Sequence, residues 1–174
     1  MSKIDYPLDR IRAIAFDVDG VLSPSLVPMD ANGVPMRMAN LKDGYAMQFA
    51  VKCGLKIAII TGADTESLRH RFGALGIRDI YLRASQKLPV FQEWMTLNGL
   101  NPDEIAYCGD DIPDIPPMMH AGLSVAPADA ATEVRQCAKY ISPAAGGHGV
   151  ARDLIEQILR AKGIWMNDTK AFGW

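Results

Sequence analysis

The chain is poor in cysteine and aromatic residues and carries almost no net charge. Its three cysteines, Cys53, Cys108 and Cys137, are odd in number and far apart. That spacing excludes a disulfide framework and gives no sign of a zinc site. They read as reduced core residues of a cytoplasmic protein, because free cysteine is among the most buried side chains. A net charge of −2 leaves no basic footprint for nucleic acid. Lysines and arginines are scattered rather than massed, so an anionic membrane surface is a poor partner too. No apolar run approaches the ~20 residues of a membrane span. The first twelve residues, with Asp5, Pro7 and Asp9, lack the apolar stretch of a signal peptide. What the chain does have is 49% apolar residues in 174, enough for the core of a single domain over 1–174. Small molecules are its expected partners.

Short, continuously apolar runs recur along the chain: 13–18, 56–60, 79–82, 105–108 and 123–126. Strands buried on both faces read this way, which favours a parallel sheet. Helical stretches over 42–53, 65–75, 88–98, 113–121, 130–138 (capped by Asp129) and 150–162 separate them. The alternation predicts an α/β fold, a three-layer sandwich with a mostly parallel, Rossmann-like sheet. One interval breaks the rhythm. Between Gly20 and Lys42 lie Pro24, Pro28 and Pro35 and the dipeptide Asn32-Gly33, a hairpin signal with prolines suited to edge strands. A β-hairpin flap is expected over about residues 23–40, and its apolar side chains suggest self-association. The tail, residues 163–174, carries Trp165, Phe172 and Trp174 and is expected to dock on this chain or a neighbour.

In an open parallel sheet, ligands bind beyond the carboxyl ends of the strands. Those ends carry Asp17 and Asp19, then Thr61 and Gly62, then Lys87, then Asp110 and Asp111. Carboxylates a few ångströms apart cannot all stay ionised without a cation. Mg²⁺ suits such a site, since it takes few carboxylates and keeps room for a phosphate oxygen. Lys87 offers a point charge for a phosphoryl group, and Thr61 a hydroxyl beside backbone N–H groups. One carboxylate can then attack phosphorus in line, while a second protonates the leaving alkoxide and activates water.

Phe16-Asp17-Val18-Asp19-Gly20, Ile60-Thr61-Gly62, Lys87 and Gly109-Asp110-Asp111-Ile112-Pro113-Asp114 resemble the four motifs of the haloacid dehalogenase superfamily of phosphohydrolases. The resemblance runs from Ile11 to about Arg160. It implies Asp17 as nucleophile, Asp19 as general acid/base, and Thr61, Gly62 and Lys87 around the phosphoryl group. It also implies Mg²⁺ held by the Asp17 carboxylate, the Asp19 backbone carbonyl and Asp110, with Asp111 and Asp114 in support. Neither gap that carries a cap domain in larger members is long enough here, so the chain is similar to the capless branch.

Within that branch the flap, Lys42-Asp43-Gly44-Tyr45, and Gly146-Gly147-His148-Gly149 with Arg152 resemble the phosphatases of 3-deoxy-D-manno-octulosonate 8-phosphate (Kdo 8-phosphate). That likeness implies a phosphorylated sugar acid as substrate, contacts from Lys42, His148 and Arg152, and a homotetramer assembled through the flap. Ala63 and His148 stand where that family has arginines, which keeps nine-carbon sugar-acid 9-phosphates as an alternative substrate class. A phosphoaspartate receiver module also needs Mg²⁺, Asp, Thr and Lys at strand ends, but it places the phosphorylated Asp on a later strand and needs no leaving-group acid.

Overall fold

Side chains alternate across each strand, and here both directions lead into core. Ile14, Phe16, Ile57 and Ile59 pack on one face with Met47, Phe49, Leu154 and Ile158. Ala13, Ala15, Ala58, Ile60 and Tyr107 pack on the other with Phe91, Trp94 and Met118. Burial on both faces is why the strand sequences carry no polar alternation. The computed structural model describes residues 3–167 and 169–173. Its elements are β1 (Ala13–Phe16), α1 (Leu41–Lys52), β2 (Lys56–Ile60), α2 (Glu66–Gly73), β3 (Asp79–Tyr81) and α3 (Lys87–Asn98), then β4 (Ile105–Cys108), α4 (Ile115–His120), β5 (Leu123–Ala126), α5 (Thr132–Cys137), β6 (Tyr140–Ile141) and α6 (Val150–Ala161). Helices on both faces make three layers, as the alternation predicts. No helix among the described residues is long and apolar enough to cross a membrane.

The strands are all parallel in the order β3-β2-β1-β4-β5-β6. The chain starts at the centre, winds outward to β3, then returns to β4 on the other side of β1. Phe16 is in register with both Ile59 and Cys108. The residues just past these three therefore emerge together at the point where the winding reverses, the crevice that binds ligands in such sheets.

Several local expectations need correction. A sixth strand, β6, pairs with β5; two residues are too short to leave a periodic signal. Asp129 does not cap α5, which begins after Ala131; its carboxylate accepts from the Gly146 N–H at 2.8 Å instead. Pro113 belongs to a 3₁₀ turn, Ile112–Asp114, ahead of α4. The flap is a hairpin reduced to one bridge, Met29 with Pro35. It is closed by Asp30 N–H to Val34 O and Met36 N–H to Pro28 O. Pro28 and Pro35 lack the N–H groups a longer ladder needs. The Asp30 carboxylate holds the turn by accepting from Asn32 and Val34 N–H.

Of the tail, Trp165 is buried and meets Phe49 and Tyr45 edge-on, and the Tyr45 hydroxyl donates to the Ala171 carbonyl. Phe172 is exposed, and Trp174 lies outside the described residues. No disulfide joins the three cysteines; Cys108 is buried, and Cys53 and Cys137 are half-buried.

Candidate active site

Asp17 follows β1 directly, and its N–H donates to Cys108 O at 3.0 Å, continuing the β1–β4 ladder by one step. Its side chain is buried. One oxygen accepts from Val18 N–H at 2.7 Å, and the other lies 2.7 Å from Lys87 Nζ. Lys87, at the start of α3, is equally buried and reaches Asp114 Oδ1 at 2.7 Å as well. Asp114 is fully buried; it also accepts from the Tyr107 hydroxyl at 3.0 Å and from Asp110 N–H at 3.2 Å. Tyr107 lies on β4, so the sheet itself supplies a partner to this ion pair.

One lysine does not balance three carboxylates. Burial and then the charge of Asp114 push Asp17 up to about 7 against the pull of Lys87. Burial and Asp114 likewise push Asp110 up to about 7. Burial works to depress the Lys87 ammonium, but Asp17 and Asp114 outweigh it and the net shift is upward. Single carboxylate oxygens of Asp17, Asp110 and Asp114 lie within 4.8 Å of one another. This surplus of buried negative charge fits a hard divalent cation. Asp114 is already engaged by Lys87, Tyr107 and backbone, so it suits a supporting place better than a ligand's.

The acidic motifs touch so closely that their glycines are steric necessities. A Cβ on Gly20, where φ is +76°, would sit 1.8 Å from Asp110 Oδ2. One on Gly109 would sit 2.3 Å from the Asp114 Cβ.

The expected groups largely converge. Asp17, Asp19, Gly62, Lys87, Asp110, Asp111 and Asp114 line one open cavity of about 400 Å³. Thr61 is buried just past β2, its Oγ1 accepting from Ala63 N–H at 3.2 Å. The exposed Asp111 caps the 3₁₀ turn by accepting from Ile112 N–H. The three expected substrate contacts are not among the cavity's lining residues. Lys42 is exposed at the start of α1. The His148 ring donates from Nδ1 to Gly146 O, 2.7 Å away. Arg152 is held by Glu156 at 3.0 Å and by the faces of Trp165 and Tyr45, at 4.6 and 5.5 Å to their centroids. An i,i+4 ion pair and two aromatic faces fix that guanidinium against the tail, away from the acidic cavity.

Sequence reasoning missed Tyr107, Ser25 and Ser85, and above all Arg37. The Arg37 guanidinium meets Asp19 through both carboxylate oxygens, at 2.7 and 2.8 Å. One signal was available: Arg37 is the only Lys or Arg between Arg12 and Lys42.

The comparisons with known proteins agree with this fold. Residues 72–154 match the model of the haloacid dehalogenase-like hydrolase family. The curated 3-deoxy-D-manno-octulosonate 8-phosphate phosphatase of Escherichia coli K12 is 38% identical over 155 residues, 89% of this chain and 82% of the relative. A cobalt-bound phosphatase of the same description from Haemophilus influenzae superposes with a TM-score of 0.89 at 30% identity, over 95% of this chain and 98% of that one. The Moraxella catarrhalis phosphatase, solved with magnesium, phosphate and Kdo, gives 0.86 at 29% identity, over 90% of each chain.

Proposed function

The chain belongs to the haloacid dehalogenase-like hydrolases, in the family of the Kdo 8-phosphate phosphatases, and from that premise we propose that it converts Kdo 8-phosphate to Kdo and phosphate through an aspartyl-phosphate at Asp17. As a phosphoric monoester hydrolase it must break a P–O bond to a primary alkoxide, a poor leaving group. The observation that carries the reading is the buried Asp17 at the switch point, 2.7 Å from Lys87 and sharing its cavity with Asp19 and Asp110.

Asp17 attacks phosphorus and the P–O bond to the sugar breaks, with Asp19 giving a proton to the departing oxygen. Asp19 then takes a proton from a water that attacks the acyl phosphate, releasing phosphate and restoring Asp17. Lys87 and the Thr61–Gly62 turn hold the phosphoryl oxygens through both steps. Asp17, Asp110 and the Asp19 backbone carbonyl would hold Mg²⁺, which supplies positive charge against the phosphoryl oxygens when bound. The magnesium, phosphate and Kdo described for the Moraxella relative support both the cofactor and the substrate class.

Steady-state kinetics with Mg²⁺ on Kdo 8-phosphate, nine-carbon sugar-acid 9-phosphates and simple phosphomonoesters tests the assignment. Kdo 8-phosphate is expected to give the highest kcat/KM. A higher value for a nine-carbon acid would move the substrate, and equal values throughout would remove sugar-acid specificity. One-time labelling by acetyl phosphate without turnover would mark a receiver instead.

The flap supports a further part of the reading, a homotetramer. It exposes Leu26, Met29, Met36 and Met38, an apolar surface of the kind that marks contacts between subunits. Cysteines that form no disulfide suit a reducing, cytoplasmic setting.

A further inference from the structure

Arg37 joins three segments that have no regular secondary structure in common. Its Nε donates to Asp19 Oδ1 at 2.7 Å and its Nη2 to Asp19 Oδ2 at 2.8 Å. Its Nη1 donates to Thr65 Oγ1 at 3.2 Å, the residue just ahead of α2. The next residue on the flap is fixed as well, since Met38 N–H donates to Ser23 Oγ at 3.0 Å. The Arg37 side chain is only 11% exposed, whereas that of Asp19 is 46% exposed. The guanidinium is thus the anchored partner and the carboxylate the one being held.

The pairing has the geometry of an orienting device. A planar fork meeting both carboxylate oxygens fixes the plane of the carboxyl group as well as its position, which a lysine cannot do. Among the described residues no other polar group competes for the Asp19 carboxylate. Arg37 also lines a second cavity of about 180 Å³ between the flap, α1 and α2.

We infer that Arg37 is a positioning residue for Asp19, coupling the direction of that carboxyl group to the seating of the flap. This rests on the reading of Asp19 as the group that protonates the leaving alkoxide. Proton delivery needs the carboxyl at a defined place over the scissile oxygen. Here that place is set by a residue of the flap, so a flap that seats correctly on substrate or on a neighbouring subunit completes the acid.

The test compares two leaving groups in Arg37→Met, Arg37→Lys and Asp19→Asn. p-Nitrophenyl phosphate leaves without a proton, whereas a primary alkyl phosphate requires one. The alkyl substrate is the best one found in the substrate panel. kcat/KM is the quantity to read, because it reports only the steps through release of the alcohol. Arg37→Met is expected to lower kcat/KM about tenfold or more for the alkyl ester, short of the full 10² to 10⁴ that a whole general acid supplies, and less than about twofold for the aryl ester. Arg37→Lys should recover part of the loss, having charge without the fork.

Equal losses on both substrates, or none on either, would overturn the inference. A selective loss in Asp19→Asn that Arg37→Met does not share would overturn it while leaving the acid in place. If Asp19→Asn itself shows no such selectivity, the acid assignment and the inference both fall. Methionine keeps the stem of the side chain, and Asp19 stays hydrated, so the fold is expected to survive. Should Arg37→Met misfold, Thr65→Val removes the other end of the contact and is expected to shift the same ratio by about twofold, and an unchanged ratio there overturns the inference.

Discussion

At the floor of the acidic cavity Asp17, Lys87 and Asp114 are 6%, 6% and 0% exposed, whereas at its mouth the Asp19 side chain is 46% exposed and, on the flap that holds it, Leu26 is 90% exposed. The floor is held by strand ends, a buried ion-pair chain and Tyr107. The mouth is held by one guanidinium and a hairpin with a single bridge. The two regions do different work. A nucleophile and its metal ligands need a fixed, dry setting where charge is felt strongly. An acid that must meet both substrate and water belongs where solvent and a movable segment can reach it.

That contrast can be broken from either side. The largest effect is expected at the floor: Asp17→Asn should lower turnover about 10⁴-fold or more while circular dichroism and the melting curve stay near those of the parent. Retained turnover would move the nucleophile elsewhere. Lys87→Met leaves Asp17 and Asp114 buried without a counter-charge, and denaturant unfolding in chelator at neutral pH should show a loss of about 3–5 kcal/mol. A loss below about 1 kcal/mol would mean that the floor is wetter than its geometry implies.

The third test uses pH. Folded Asp17 and Asp110 are pushed up to about 7, and Asp43, buried beside the start of α6, up to about 6 by the loss of its hydration. Unfolded carboxyls titrate near about 4. Between about 4 and 7 the folded chain therefore holds more protons than the unfolded one, so stability falls as pH rises through that window. Melting temperature in chelator should decline from pH 5 to pH 8. Saturating Mg²⁺ should flatten most of that slope, since a cation stabilises the ionised carboxylates and adds about 2.7 kcal/mol at a hundred times its Kd. Equal slopes with and without Mg²⁺ would argue that the ion does not sit among these groups.

The smallest effect on stability belongs to the mouth. Leu26→Asp should change monomer unfolding by less than about 0.5 kcal/mol, yet shift light-scattering mass from tetramer to smaller species. An unchanged mass would take the flap out of the assembly.

The same division governs what could be read from the amino-acid order. Asp17, Thr61 and Asp110 follow apolar runs, and the rule that parallel strands present their carboxyl ends to ligand brings them together without any knowledge of distances. Arg37 follows no such run. It lies 18 residues from Asp19, on a segment whose path depends on a turn held by Asp30 and on prolines that cut the ladder short. Periodicity has nothing to say about where such a side chain ends up. The setting of Arg152 was hidden for a related reason. Its motif points to a substrate anion, and that its guanidinium rests on the faces of Trp165 and Tyr45 is something only packing of the tail could reveal. Asp129 looked like a helix cap because α5 begins nearby, whereas its partner, the Gly146 N–H, is 17 residues on.

Gly146 carries one more consequence. A Cβ there would lie 2.1 Å from the Gly20 carbonyl oxygen, and the neighbouring Gly147 N–H donates to Val21 O at 2.8 Å. The turn that follows Asp17 thus leans on a loop that comes far later in the chain. During synthesis on the ribosome, β1 and its aspartates emerge early, but the turn at Gly20 and Val21 gains these contacts only once residues 146 and 147 follow. A growing chain that already carries Asp17 through Asp114 therefore still lacks the loop that braces the turn beside them.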